Sequence, residues 1–356
     1  MKRSFLFGLC VFFVFCLLLR CGSDDSIEPS TVAVEQDSTI LSFFETVGND
    51  SATVDENGIY SYPIVLNPGG ASASGGVLSI YYRVGTLGGS GDIDVYSSSD
   101  GDPIVLKQGS NAVYPVGLDL ALAQMNEGET YGFVIPSSLA YDTVNLAGIS
   151  ENAIIEFEIE LVSVQSVSQV EADEDEAIET YVEAINVMVR EARQTLIDSL
   201  TLAISDSTQL ANALDSLENV PLDTVMELSA GIYFQNLTPD SLFTGGPMAG
   251  QIIGINYSGR FIDSTSFDSR FEDQAFEYAF GTNLVIPGLD LGIGEMQFEQ
   301  EALIIMASDL AYRESAVVIP SSFTQQAISS SIVPDYAARV GAYRSLAFEV
   351  TLLTPN

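Results

Sequence analysis

The sequence predicts an α+β protein made of one domain used twice, each copy an antiparallel sheet wrapped on a short helix, with a helical linker between. Three observations carry this. "NAVYPVGLDLALAQM" at 111–125 is nearly repeated as "NLVIPGLDLGIGEM" at 283–296. Apolar and polar residues alternate in "GQIIGINYSG", "ALIIMAS", "AIIEFEIEL" and "SLAFEVTLL", the period of half-buried strands. Between the copies, Ile178, Tyr181, Val182, Ile185, Val189, Leu196 and Leu200 recur at helical spacing.

The repeat holds one spacing. Leu118 and Leu289, Met125 and Met296, and Tyr141 and Tyr312 are each 171 residues apart. "PSSLAYD" echoes "ASDLAYR", and "ENGIYSYPI" near Tyr60 echoes "SAGIYFQNL" near Tyr233. Matches in the same order along so much chain indicate duplication. In the second copy Pro287 suits the first turn of a helix, and Leu289, Ile293 and Met296 share one helical face. That helix is expected to pack on the concave side of its sheet.

In the interval, "EADEDE" at 171–176 places acids at the favourable N-terminal end of a helix. It reads as a solvated helix start rather than a calcium loop, because it lacks a glycine-turned ligand loop. Asp206 begins a break, and Leu210, Leu214 and Leu217 suggest a second, shorter helix. Residues 22–39 are polar and aperiodic, the composition of a flexible tether.

Composition limits the chemistry. The 356 residues carry 49 acids against 12 Lys and Arg, a net charge of −37, with neither His nor Trp. Nucleic acid is excluded as a partner, since phosphate binding needs clustered cations. Without His the commonest general base and most zinc sites are gone, and no cofactor or metal is expected.

The N-terminus reads as an export signal. Lys2 and Arg3 precede an apolar run from Phe5 to Leu19, short for a spanning helix. Cys21 follows, where a bacterial lipoprotein signal places its lipidated cysteine, although Arg20 stands where a small residue is usual. A plain secretory signal and an uncleaved anchor are the competing readings. Cleavage before Cys21 would discard Cys10 and Cys16, leaving no partner for a disulfide. It would also remove three cations and no acid, and a lipid anchor would hold so acidic a body on a membrane against repulsion. "GSDDS" after Cys21 resembles the acidic tether of Bacteroidota surface lipoproteins. The expected location is the cell envelope, at the outer membrane or cell surface rather than the inner membrane. The expected organisation is a signal peptide at 1–20, a tether at 21–39, a first domain at 40–165, a helical linker at 166–228 and a second domain at 229–356.

Read from Gly245, the second copy resembles an FKBP-type peptidyl-prolyl cis-trans isomerase. "GGPMAGQIIGINYSGRFIDSTSFDS" is similar to that family's opening strands, and "FEYAFGTNLVIPGLDLGIGEM" to its next strand and central helix. "ASDLAYR" and "LAFEVTLL" complete the pattern. By this resemblance the pocket falls on Tyr257, Phe267, Asp268, Phe276, Val285, Ile286, Leu289, Tyr312 and Phe348. Leu289 stands where tryptophan is common in the family.

The resemblance implies partners that are unfolded or extended proline-containing polypeptides, with the Ile286 N–H and the Tyr312 hydroxyl bonding the substrate. Such chemistry suits a chain without histidine. Rotation about X-Pro meets a barrier of about 18–20 kcal/mol because twisting destroys amide resonance. The twisted amide has less charge separation, so an apolar aromatic pocket favours it over the planar one.

The first copy keeps Tyr82, Tyr141 and Phe157, but by sequence alignment sets Val95-Tyr96 against Phe267-Asp268, Ile104 against Phe276 and Tyr114 against Ile286. It reads as an FKBP-like domain with a degenerate site, serving peptide binding or spacing. From Tyr312 to Phe348 is 36 residues against 16 from Tyr141 to Phe157, an enlarged loop expected to extend the binding surface or cover it. The sequence leaves the oligomeric state open.

Overall fold

The computed structural model describes residues 31–72, 74–89, 91–99, 101–109, 113–145, 148–218, 223–229, 231–238, 245–271, 274–314, 316–317, 324–329, 331 and 339–355. Residues 1–30, where the signal segment and Cys21 lipidation are expected, and most of the two Pro-containing stretches of the enlarged loop lie outside them.

Helix α1 (Thr31–Val47) precedes the first sheet, whose strands are β1 (Thr53–Val54), β2 (Tyr60–Val65), β3 (Val77–Thr86), β4 (Asp94–Tyr96) and β5 (Ile104–Lys107), then β7 and β8 beyond a short connection. That connection holds β6 (Val113–Tyr114) and helix α2 (Val116–Leu122), and the sheet closes with β7 (Thr130–Ile135) and β8 (Ile155–Gln165). Helices α3 (Val167–Ala203) and α4 (Ser207–Glu218) form the linker. The second sheet uses β9 (Met226–Ser229), β10 (Ile232–Asn236), β11 (Ile252–Phe261), β12 (Ser266–Arg270) and β13 (Phe276–Ala279). Helix α5 (Pro287–Gly294), β14 (Glu301–Met306), β15 (Ala316–Val317), helix α6 (Thr324–Ser329) and β16 (Leu346–Leu352) complete the chain.

Both sheets have seven strands, ordered β1-β2-β7-β8-β3-β4 with β5 beside β3, and β9-β10-β14-β16-β11-β12 with β13 beside β11. The two orders are the same element for element, and all pairings within them are antiparallel. The predicted α+β duplication is therefore present.

The repeated Gly-Leu-Asp motif has a packing explanation. A Cβ at Gly117 would lie 2.5 Å from Ile135, and one at Gly288 2.6 Å from the Met306 sulfur, so only glycine lets each helix lie this close to its sheet. Leu118 and Leu289 are buried on the sheet side, with Met125 and Met296. Asp119 accepts the Gly109 N–H at 2.8 Å, and Asp290 accepts the Gly281 N–H at 3.3 Å and the Tyr278 hydroxyl at 3.1 Å. Each Asp ties its helix to the chain that leads into it. The motif is conserved between copies because the fold needs it.

Two domain limits need correction. Residues 31–39, assigned to the tether, form the start of α1. Ile40 and Phe44 of that helix bury against Tyr60 and Val134 on the convex side of the first sheet. The helix was hidden because its one buried residue before Ile40 is polar: Gln36 is held by hydrogen bonds, donating to Ser137 Oγ at 2.9 Å and accepting the Ser137 N–H at 3.0 Å. The second sheet also begins earlier than 229, since β9 starts at Met226.

The linker helix repeats this arrangement on the second domain. Ile178 is buried with Tyr181, Val182 and Ile185 against Tyr233, Leu303 and Ile305. Glu174, inside the acidic run, accepts from Ser308 N–H at 2.8 Å, Ser308 Oγ at 2.7 Å and Ser345 Oγ at 2.6 Å. Ser308 is the 171-residue counterpart of Ser137. The duplicated unit is thus a helix plus a sheet domain, and "EADEDE" is a docking segment as well as a helix start. Among the described residues no acidic or sulfur cluster is able to hold a metal, and no helix is long and apolar enough to cross a membrane.

Candidate active site

The concave face of the second sheet and α5 enclose a cavity of about 670 Å³. All nine sequence-assigned residues line it: Tyr257, Phe267, Asp268, Phe276, Val285, Ile286, Leu289, Tyr312 and Phe348. Asn283, Leu284, Pro287, Ala311 and Arg313 complete the lining and were not singled out from sequence. Each of these five lies within two residues of one that was, so proximity in the chain was the available signal.

Strand register places the aromatic side chains. Tyr257 and Gly259 lie two apart on β11, facing the cavity side, and Phe348 sits opposite Gly259 on β16. Tyr257, Phe348 and Leu289 are buried and form the floor, while Phe267, Phe276, Val285, Ile286 and Tyr312 are half-buried and form the walls. The Phe267 and Phe348 rings meet edge to face with centroids 5.6 Å apart, and Tyr257 meets Phe276 in the same way at 6.5 Å. Edge-to-face contacts hold each ring in one orientation.

Gly259 makes this possible. A Cβ there would approach Phe267 to 2.8 Å and Phe348 to 2.9 Å. Behind Phe267, the Phe261 ring lies 5.1 Å away and carries the Arg344 guanidinium 4.1 Å above its centre.

The one acid among the described lining residues is tied down. Tyr257 donates its hydroxyl to Asp268 Oδ2 at 2.6 Å, and the other carboxylate oxygen accepts the Ser269 N–H at 2.9 Å. Burial, then the bond to Asp268, pushes the Tyr257 phenol well above its usual value of 10, so it stays a donor. Ile286 is the N-cap of α5 in extended conformation (φ −60°, ψ 144°). The site thus offers apolar walls, a fixed carboxylate and a helix entrance, with no nucleophile–base pair among its described lining residues.

Residues 71–162 and 244–353 each match the family described as FKBP-type peptidyl-prolyl cis-trans isomerase. The chain belongs to that family. Peptidyl-prolyl cis-trans isomerase Fkbp12 of Drosophila melanogaster is 36% identical over 81 residues, 22% of this chain and 75% of the relative. FK506-binding protein 1A of Aspergillus fumigatus is 33% identical over 81 residues, 22% of this chain and 72% of that protein. The match to FK506-binding protein 59 of Drosophila melanogaster spans only 22% of that protein's length. Among solved structures, the three FKBP domains of wheat FKBP73 cover 84% of this chain and 95% of theirs, at 15% identity and a TM-score of 0.30.

The first FKBP domain differs from the second at its site, and the register corrects the sequence alignment. Asp94 lies opposite Val84 as Asp268 lies opposite Gly259, so Ile93-Asp94, not Val95-Tyr96, is the counterpart of Phe267-Asp268. The tyrosine–carboxylate pair therefore persists: Tyr82 donates to Asp94 Oδ2 at 2.8 Å. A gap of two residues in a strand with few apolar anchors is invisible to sequence matching.

The N-cap of α2 is Pro115, with Tyr114 one residue earlier, so at the place of Ile286 the first FKBP domain has a residue without an N–H. Ile104 pairs with Ile80 as Phe276 pairs with Ile255, so that counterpart stands as aligned. Tyr141, the counterpart of Tyr312, is 2% exposed, 5.9 Å from the Tyr114 ring, and its hydroxyl has no hydrogen-bond partner among the described residues.

Proposed function

We propose that the second FKBP domain isomerises X-Pro bonds of unfolded or extended polypeptides, in a cell-envelope lipoprotein that assists the folding of exported proteins. The carrying observation is that nine residues assigned from sequence line one cavity, with apolar rings on its walls and the Asp268 carboxylate bonded to Tyr257.

The walls receive the proline ring and exclude water from the imide. Water stabilises the charge-separated planar amide more than the twisted one, so its removal lowers the barrier selectively. The Ile286 N–H holds the carbonyl of the bound segment and Tyr312 donates a second bond. Each tenfold acceleration requires about 1.4 kcal/mol of such differential binding. Asp268 orients Tyr257 through the hydrogen bond between them.

The test is cis–trans isomerisation of a proline tetrapeptide by the full chain, with and without EDTA and phenanthroline. Turnover above the uncatalysed rate, unchanged by chelators, is the expected result. A rate equal to the blank would favour a binding role without catalysis, and chelator sensitivity would replace the mechanism. For the anchor, Cys21→Ser should move the protein from the membrane to the soluble fraction or block processing. Unchanged fractionation and gel mobility would remove the lipid from the proposal.

A further inference from the structure

The enlarged loop after Tyr312 reaches the first FKBP domain through several of its described residues. β15, α6 and the Ala342–Tyr343 segment lie on that domain. β15 pairs in parallel with β6, Ala316 beside Val113 and Val317 beside Tyr114, and it also runs beside β5. In α6, Ala327 is buried in the core of the first domain, with Ile328 packed against it. Gln326 donates to the Asn145 carbonyl at 2.9 Å.

On the return, Val340 is buried in the core of the second domain, while Ala342 is buried in that of the first, where Tyr343 also packs. The loop closes where it began, Tyr343 N–H donating to the Arg313 carbonyl at 2.8 Å.

The place it occupies is informative. Val113–Tyr114 is separated from α2 by Pro115 alone, Val285–Ile286 leads directly into α5, and β5 carries Ile104, the counterpart of Phe276. β15 lies along the side of the first domain that corresponds to the Phe276–Val285–Ile286 wall of the second cavity. An extended segment added to an existing strand is a common mode of polypeptide recognition. Here the polypeptide is supplied by the same chain.

We infer that the first FKBP domain is the receptor for this loop and, by holding it, sets Tyr312 and Arg313 at the rim of the second cavity. Both rim residues belong to the segment that leads into the loop, and Arg313 is its anchor point. Ordering a long loop on its own carries a large entropic cost, part of which docking offsets through the β15–β6 pairing and the burial of Ala327 and Ala342. The first domain thereby acts as a positioning domain for binding at the second. The rim part of this inference rests on the proposed isomerase reading, whereas the docking part does not.

The experiment is hydrogen exchange on the full chain, paired with steady-state isomerisation of a proline tetrapeptide. In the wild type, the segments holding Val113–Tyr114 and Thr324–Ser329 should both be protected. Ala327→Arg places a charge at a site 1% exposed, and should speed exchange in both segments at least about tenfold while β16 stays protected. KM should rise about threefold with kcat held, the signature of disturbed binding.

Ala316→Pro with Val317→Pro removes the strand donors of β15 without altering either buried alanine, and should give the same result. It serves as the second variant where Ala327→Arg exposes both cores. Fast exchange of 324–329 in the wild type would overturn the docking. Loss of protection with unchanged KM in an active enzyme would overturn the positioning role. An inactive wild type with protected segments would sink the isomerase reading and its rim consequence, and leave the docking supported.

Discussion

Val84 holds in the first sheet the register position that Gly259 holds in the second, each opposite the phenylalanine of the last strand, Phe157 or Phe348. In the second domain the missing side chain leaves room for Phe267 to stand against Phe348. In the first, Val84 fills that space and the smaller Ile93 takes the place of Phe267. The two domains put similar bulk into the core, one from the cavity wall and one from the sheet itself.

This exchange is testable by a double-mutant cycle. Gly259→Val should destabilise by about 1–3 kcal/mol through overpacking and reduce kcat/KM for a proline peptide. Phe267→Ile added to it should recover stability, with a coupling of about 0.5–3 kcal/mol, while turnover stays low. Denaturant unfolding of the four variants measures it. Additive costs would show that the two positions do not compete for the same space.

Tyr312→Phe removes one hydroxyl from the rim of the cavity. A lost hydrogen bond to the bound peptide costs about 1 kcal/mol, so kcat/KM should fall about fivefold with little change in melting temperature. An unchanged rate would take Tyr312 out of the mechanism.

Glu174 and Gln36 offer a second reciprocal test. Glu174→Ala strands the buried Ser308 N–H and hydroxyl, and should cost about 2–4 kcal/mol of second-domain stability, since each stranded group costs about 1–3. Glu174→Gln writes in the residue that performs this task on Ser137, and should cost less than half as much. Equal losses for both substitutions would show that charge, not hydrogen-bond geometry, holds the linker helix.

Alkaline pH should loosen α1. Tyr60 donates to Asp37 of that helix, and burial together with this bond raises its phenol from the usual 10 to about 12. A folded-state value above the unfolded one contributes stability that is complete below pH 10 and is lost as pH rises from 10 through 12. Chemical unfolding at pH 9, 10 and 11 should show the wild type losing stability faster than Tyr60→Phe. Parallel curves would remove Tyr60 from the alkaline transition.

Much of this protein was determined by its sequence alone. The two sheets follow from alternation in "AIIEFEIEL" and "SLAFEVTLL", because period-two burial leaves a strand no other way to hide its apolar face. The short helices follow from Gly-Leu-Asp, where the absence of a side chain, an apolar anchor and a hydrogen-bond acceptor are all local requirements. The nine cavity residues were readable as an ordered set because most sit on regular strands or at the entrance of a helix.

Tertiary structure decided what depends on partners distant in sequence. The match of Asp94 with Asp268 is set by strand pairing, which counts residues from Tyr82 and Tyr257 rather than along the chain. The helical 31–39 segment owes its order to Gln36 meeting Ser137 about a hundred residues away, a polar contact with no hydropathy signal. The destination of the enlarged loop was decided in the same way. Among the described residues its buried anchors in the first domain are two alanines, Ala327 and Ala342, and small residues acquire a preferred place only once a second domain surrounds them.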